Sequence, residues 1–324
     1  MKKYLKQISS DFIKNLMRGT ADSFFMEWDN DEIEFEGAPD EFHNFAADLA
    51  RSGFYGRACM VLESGINTYC MDTVLLADFL NYGIKCNRID TCNKYFELLN
   101  KIDDKKKDWR AFDFSIDYLL FLIKRSGDDE EIKKLKETAL DMVSRFKYSV
   151  SNEELAYLAE YQIYESTFEK SIGLKKLEQF LNDENREAKV APKCHLKYIE
   201  EMLNMGEYSQ VILYANDGAA EAAQEQEGVD TGYFFYALAL AKDALWLKAD
   251  KGKVNADRDE ANEILKYYQT AYDTLDENKQ AYFKVISKRF KIIANIAEIN
   301  RSLNEWREKN MPRNVRSFFE KQDE

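Results

Sequence analysis

The sequence predicts an all-α protein, a right-handed α-solenoid of stacked antiparallel helix hairpins, and three observations lead there. The stretch from Pro39 to Ile102 writes one helical hairpin twice in the same register. Elsewhere, apolar residues recur three and four positions apart, the spacing of one helix face. Only 13 Gly and 3 Pro occur among 324 residues, too few for the turns of an all-β chain. The prolines, Pro39, Pro192 and Pro312, each fall at an expected helix boundary.

The repeat is read from small and apolar landmarks. In the first copy Phe42, Phe45, Ala46 and Leu49 make one stripe, Gly53 follows, and Ala58, Leu62 and Gly65 make a second. The landmarks return 34 residues later as Leu76, Phe79, Leu80 and Gly83, then Asn87, then Cys92, Phe96 and Leu99. That period resembles the tetratricopeptide (TPR) repeat, most plainly over residues 39–106 and 193–217. A single two-helix unit cannot bury its own apolar stripe, so the resemblance implies stacked units and a binding surface spread along a groove. Ala46, Ala58 and Cys92 stand where two helices must approach closely.

In chain order, Leu5, Ile8, Phe12, Ile13, Leu16 and Met17, with Phe24, Phe25 and Trp28 behind them, predict one or two capping helices within residues 1–36. Asp29 to Glu36 is acidic, but Ile33 and Glu34 occupy places where a calcium loop needs an oxygen ligand and a glycine, so it is read as a solvated linker. Repeats are expected over residues 37–276. The third hairpin runs through Trp109, Phe112, Ile116, Leu119, Leu120 and Ile123, turns at Gly127, and returns through Ile132, Leu135, Ala139, Met142 and Phe146. A fourth starts at Ser151, read as an N-cap with glutamate three residues on, and returns through Ile172, Leu174, Leu177 and Phe180. The fifth turns at Gly206 and Tyr208; the sixth pairs a helix near residues 233–249 with one carrying Ala261, Ile264 and Tyr268. A last helix from about Glu277 to Asn310 is expected to cap the stack, with the tail forming the rest of 277–324; Phe318 and Phe319 are expected to fold back on it.

The net charge of −13 disfavours nucleic acid and anionic lipid as partners. No apolar run reaches membrane-spanning or secretory length, and a cytoplasmic location is expected. Five cysteines without CxxC spacing signal neither a disulfide framework nor a zinc site, and are read as reduced, buried thiols. With two histidines and no HExxH, GxSxG, GxxxxGK[ST] or GxGxxG, the sequence offers no catalytic residue, no metal ligand set and no cofactor site.

Some TPR proteins grip a C-terminal carboxylate through lysine and asparagine on the first helices of consecutive units. Here His43 and Ala47 in the first unit and Asp78 in the second take those places, so the resemblance does not extend to that clamp. The same faces offer a mixed surface of Asp40, His43, Ala47 and Arg51, then Val74, Ala77, Asp78, Asn81 and Lys85, with His43, Ala47, Arg51, Asp78, Asn81 and Lys85 as groove candidates. The run Tyr233, Phe234, Phe235, Tyr236 cannot all face one side of a helix, which makes Tyr233 and Tyr236 a candidate surface anchor. A non-catalytic scaffold for a protein or peptide partner of basic character is the leading expectation. A peptide-responsive sensor like bacterial TPR receptors and an enzyme of unfamiliar type stay open beside it.

Overall fold

The computed structural model describes residues 2–30, 34–149, 152–224, 230–249, 258–275 and 280–310. Within them lie fifteen α-helices, one 3-10 turn at Asp104–Lys106 and two three-residue strands. Contacts divide the chain into two compact units, Met1–Leu177 and Glu178–Glu324.

In the first unit, β1 (Lys2–Tyr4) leads into α1 (Leu5–Met17) and α2 (Ala21–Asn30), and β2 (Glu34–Glu36) returns to pair with β1. The pairing is parallel, with Lys3 opposite Phe35. The expectation of a solvated linker here is thus corrected for Glu34–Glu36, while residues 31–33 lie outside the described residues. The reason is Phe35, which the acidic composition hides: its ring meets Trp28 edge-on at 5.2 Å and joins the core. Of the α1 stripe, Leu5, Ile8 and Phe12 are buried while Ile13, Leu16 and Met17 are exposed.

Three hairpins follow as α3 (Pro39–Arg51) and α4 (Tyr55–Thr68), α5 (Thr73–Lys85) and α6 (Ile89–Lys101), α7 (Trp109–Arg125) and α8 (Asp129–Ser149). Both helices of the second hairpin begin 34 residues after their counterparts in the first. The turns obey the same register, since Gly53 (φ 84°) and Asn87 (φ 60°) both take the left-handed conformation that glycine and asparagine tolerate best. Asp72 caps α5 by accepting from the amides of Val74 and Leu75 at 3.0 Å, and Asp108 caps α7. The first helices pack side by side, α3 on α5 and α5 on α7. Close approach depends on small residues, as expected: Ala46, Ala58 and Cys92 are fully buried. A methyl group at Gly65 would stand 2.8 Å from the Phe42 ring and 3.1 Å from Leu75.

The fourth hairpin, α9 (Glu153–Ser166) and α10 (Lys170–Leu181), corrects two expectations. Asn152, not Ser151, caps α9 by accepting from the Leu155 amide; Ser151 itself lies outside the described residues. On α10, Ile172 is exposed and Gly173 takes its place against α9, where a methyl group would meet Tyr164 Cβ at 3.0 Å. Trp109, read as part of a buried stripe, is also largely exposed.

The second unit contains α11 (Pro192–Met205), α12 (Tyr208–Ala222), α13 (Thr231–Ala249), α14 (Arg258–Thr274) and α15 (Gln280–Asn310), each packed on the next. Gly206 ends α11 in the left-handed conformation (φ 75°), so the predicted turn stands. The expected tail contacts of Phe318 and Phe319 and the segment 250–257 lie outside the described residues. Glu221 turns inward: it pairs with Arg186, accepts from the Ala191 amide at 2.7 Å and stands 3.4 Å from His195.

Candidate functional site

The layer of first helices in the first unit gathers most of the predicted groove residues, though not as a uniform wall. His43 on α3 binds the Asp78 carboxylate on α5 through Nδ1, and Arg110 on α7 stands 3.4 Å from its Nε2. Arg110 in turn donates to Asp108 at 2.7 Å. One polar chain therefore ties three successive hairpins together. The hydrogen bond to Asp78 raises the His43 pKa above its ordinary value, against the opposing effects of burial and Arg110.

Asp78 is only 2% exposed and Ala77 is fully buried, which corrects their reading as groove surface. The layering of α5 between α3 and α7 buries both. Around them Ala47 and Asn81 are half-buried, Arg51 is exposed and paired with Asp48 at 2.8 Å, and Lys85 is exposed. The Lys85 ammonium lies 5.1 Å from the Tyr55 ring centre and 5.9 Å from that of Tyr82, a cation–π arrangement that keeps it from swinging freely.

Two residues that sequence reasoning missed stand on α7. Asp113 and Asp117, one turn apart, are half-buried, and no cation among the described residues approaches either within ion-pairing distance. Burial, reinforced by the charge of Asp117, pushes the Asp113 carboxyl up to about 6. Asp117 is also raised by burial, while Lys124 and Lys85 oppose the shift from beyond contact distance. The signal was present: these are the only acids in WRAFDFSIDYLLFLIKR. A carboxylate pair inside an apolar helix has no cost-free structural role.

The second unit places the tyrosine candidates differently. Phe234 is fully buried and Tyr236 only 7% exposed, so the run is chiefly core and the anchor reading is corrected. The apolar surroundings on α12, α14 and α15 absorb these rings, with Tyr282 meeting Tyr233 and Tyr236 at 5.7 and 4.9 Å. Half-buried Tyr233 and the edge of Tyr236 still line a cavity of about 440 Å3 with Tyr208, Leu240, Asp243 and Arg289. Its polar floor is internally satisfied, because Asp243 takes both Nε and Nη2 of Arg289 at 2.7 and 2.6 Å and the Tyr268 hydroxyl at 3.0 Å.

No group of three or more metal-ligating side chains is found among the described residues. Nor is any described helix long and apolar enough to cross a membrane. His43 lacks the setting of a catalytic base, since its second nitrogen faces a guanidinium instead of a hydroxyl or thiol.

Two hairpins repeated at a 34-residue offset, with the first helices of three hairpins layered together, give the unit Met1–Leu177 a TPR-like fold of helical hairpins. No known family profile matches the chain, and no curated protein matches it. Among solved structures it is similar to a thermophilic TPR protein of Thermus thermophilus, at 16% identity and a TM-score of 0.45, over 63% of this chain and 98% of that one. It is also similar to a TPR protein of Parabacteroides merdae, at 11% identity and a TM-score of 0.42, over 90% of this chain and 97% of that one.

Proposed function

We propose that the chain is a non-catalytic interaction scaffold whose first-helix layer, in the unit Met1–Leu177, holds a protein segment carrying lysine or arginine. The observation that supports it is the pair Asp113 and Asp117, half-buried and without a contacting cation among the described residues. A partner ammonium or guanidinium between them would relieve their mutual repulsion and return both carboxyls toward their ordinary range. The flanking Phe114 and Phe121, partly buried against the core, offer apolar surface for the stem of such a side chain. The net charge of −13 favours approach of a basic partner, an effect that salt weakens. The cytoplasmic location, and the capping roles of residues 1–36 and 277–324, belong to the same reading.

The test is fluorescence anisotropy with lysine- and arginine-containing peptides and acidic peptides of equal length, on the native chain and on Asp113→Asn/Asp117→Asn. Basic peptides should bind selectively, and the double variant should weaken them at least tenfold. Equal binding by the variant, or preference for acidic peptides, would remove this reading.

A further inference from the structure

Three of the five cysteines converge on one joint between the first two hairpins, a cluster that the proposed binding role leaves unused. Cys59 lies in α4, Cys86 ends α5 and Cys92 lies in α6. Although 27 positions separate them in sequence, the sulfurs of Cys59 and Cys86 are 3.6 Å apart. Their surroundings differ: Cys59 is fully buried, whereas Cys86 is only half-buried. The Cys86 thiol stands in hydrogen-bond reach of two last-turn carbonyls of α5, Tyr82 at 3.4 Å and Gly83 at 3.6 Å, besides its partner sulfur. Arg88 stands near enough to act on both sulfurs, and is itself held by a two-pronged contact to Glu63 at 2.6 and 2.8 Å. Of the two sulfurs, that of half-buried Cys86 is the more accessible, so it is the one that a small oxidant meets first.

We propose that Cys86 and Cys59 form a disulfide in response to hydroperoxides, with Cys86 as the cysteine that attacks the peroxide and Cys59 as the resolving cysteine. The Cys86 thiolate attacks the peroxide; its S–O bond forms as the O–O bond breaks, and the departing alkoxide or hydroxide takes up a proton. Cys59 then attacks the resulting sulfenic sulfur; the S–S bond forms, the S–O bond breaks, and water leaves with the Cys59 proton. Two thiols lose two electrons and the peroxide gains them. Burial raises the thiols of both Cys59 and Cys92, so it is the 3.6 Å approach of the Cys59 and Cys86 sulfurs that singles out this pair. Cys70 is exposed and Cys86 half-buried, which corrects the expectation that all five thiols are buried. Forming a bond of about 2.05 Å draws the two sulfurs together by roughly 1.5 Å. That motion pulls on the last turn of α5, which also carries Tyr82 and Lys85.

The full chain is treated with hydrogen peroxide, its remaining thiols are alkylated, and non-reducing peptide maps are read by mass spectrometry. The expected product is a Cys59–Cys86 cross-linked peptide two hydrogens lighter than its separate parts, reversed by dithiothreitol, with free thiols falling from five to three. Cys86→Ser should abolish it and Cys70→Ser should leave it unchanged. Because replacing a fully buried cysteine can disturb folding, Cys59→Ala serves only as a second control, checked by circular dichroism. A bridge from Cys86 to Cys92, or Cys86 advancing to sulfinic acid while Cys59 stays free, would overturn the proposal.

Discussion

Replacing Asp113 with asparagine should make the protein more stable at neutral pH. Folding moves this carboxyl from an ordinary 3.8 to about 6, which at 1.36 kcal/mol per pH unit is an upper bound of about 3 kcal/mol held against the folded state. Water still reaches the half-buried group, and part of the shift comes from the neighbouring Asp117 charge, so about 1–2 kcal/mol is the expected gain. Its pH dependence follows from linkage. Between about 4 and 6 the folded protein binds more protons than the unfolded chain, so wild-type stability falls across that window as pH rises. The variant lacks the titrating group. The two proteins should therefore unfold nearly alike near pH 4 and diverge up to about pH 6, with a constant gap above. Urea titrations followed by circular dichroism at several pH values would measure this. An Asp113→Asn protein less stable than wild type at pH 7.5, or a gap indifferent to pH, would show that the carboxylate is already satisfied. Stabilisation together with weaker peptide binding would mark the residue as kept for function at the expense of the fold.

Gly65→Ala sets a helix-propensity gain of about 1 kcal/mol against overpacking of about 1–3 kcal/mol on Phe42 and Leu75. It should lower the urea midpoint, while Gly56→Ala, which meets nothing within 4 Å, should not; equal midpoints would refute the close crossing. Asp243→Ala should cost about 2–4 kcal/mol by stranding Arg289 and the Tyr268 hydroxyl. Much of that should return in Asp243→Leu/Arg289→Met, and a single variant as stable as wild type would contradict the network. In proton NMR, His43 should titrate above 6.5, and Asp78→Asn should lower its midpoint. The His43–Asp78 contribution to stability is full below the unfolded value and lost as pH rises through the folded one. A wild-type midpoint at or below 6.5 would refute the pairing.

The hairpin register was legible because stacking repeats the same steric demand: Ala58 and Cys92 recur 34 residues apart, and Gly53 and Asn87 meet the same left-handed turn. What the sequence hid is decided by tertiary context. Phe35 sits among acids, so its strand gives no periodic signal over three residues. Gly173 replaces Ile172 at the joint because distance between helices, not hydropathy, decides which residue faces inward. Asp78 looked like groove surface because a charged residue is ordinarily solvated, yet His43 from another hairpin buries and pairs it. Asp113 and Asp117 could have been singled out as two acids in an apolar helix, but their missing cations are evident only with the neighbours in place.

The parallel pairing of Lys2–Tyr4 with Glu34–Glu36 also bears on how the molecule is made. On a ribosome, β1 emerges before β2 and lacks this partner until Glu36 has been added. The apolar side of α1 is covered in part by α2, where Phe24 and Phe25 meet Phe12, and its cover is completed only when α3 has been made. Leu5, Ile8 and Phe12 are therefore incompletely covered on the nascent chain until synthesis has passed α3. At about 5–20 residues per second this is an interval of seconds, ample for a chaperone to engage a segment that is deeply buried in the finished protein.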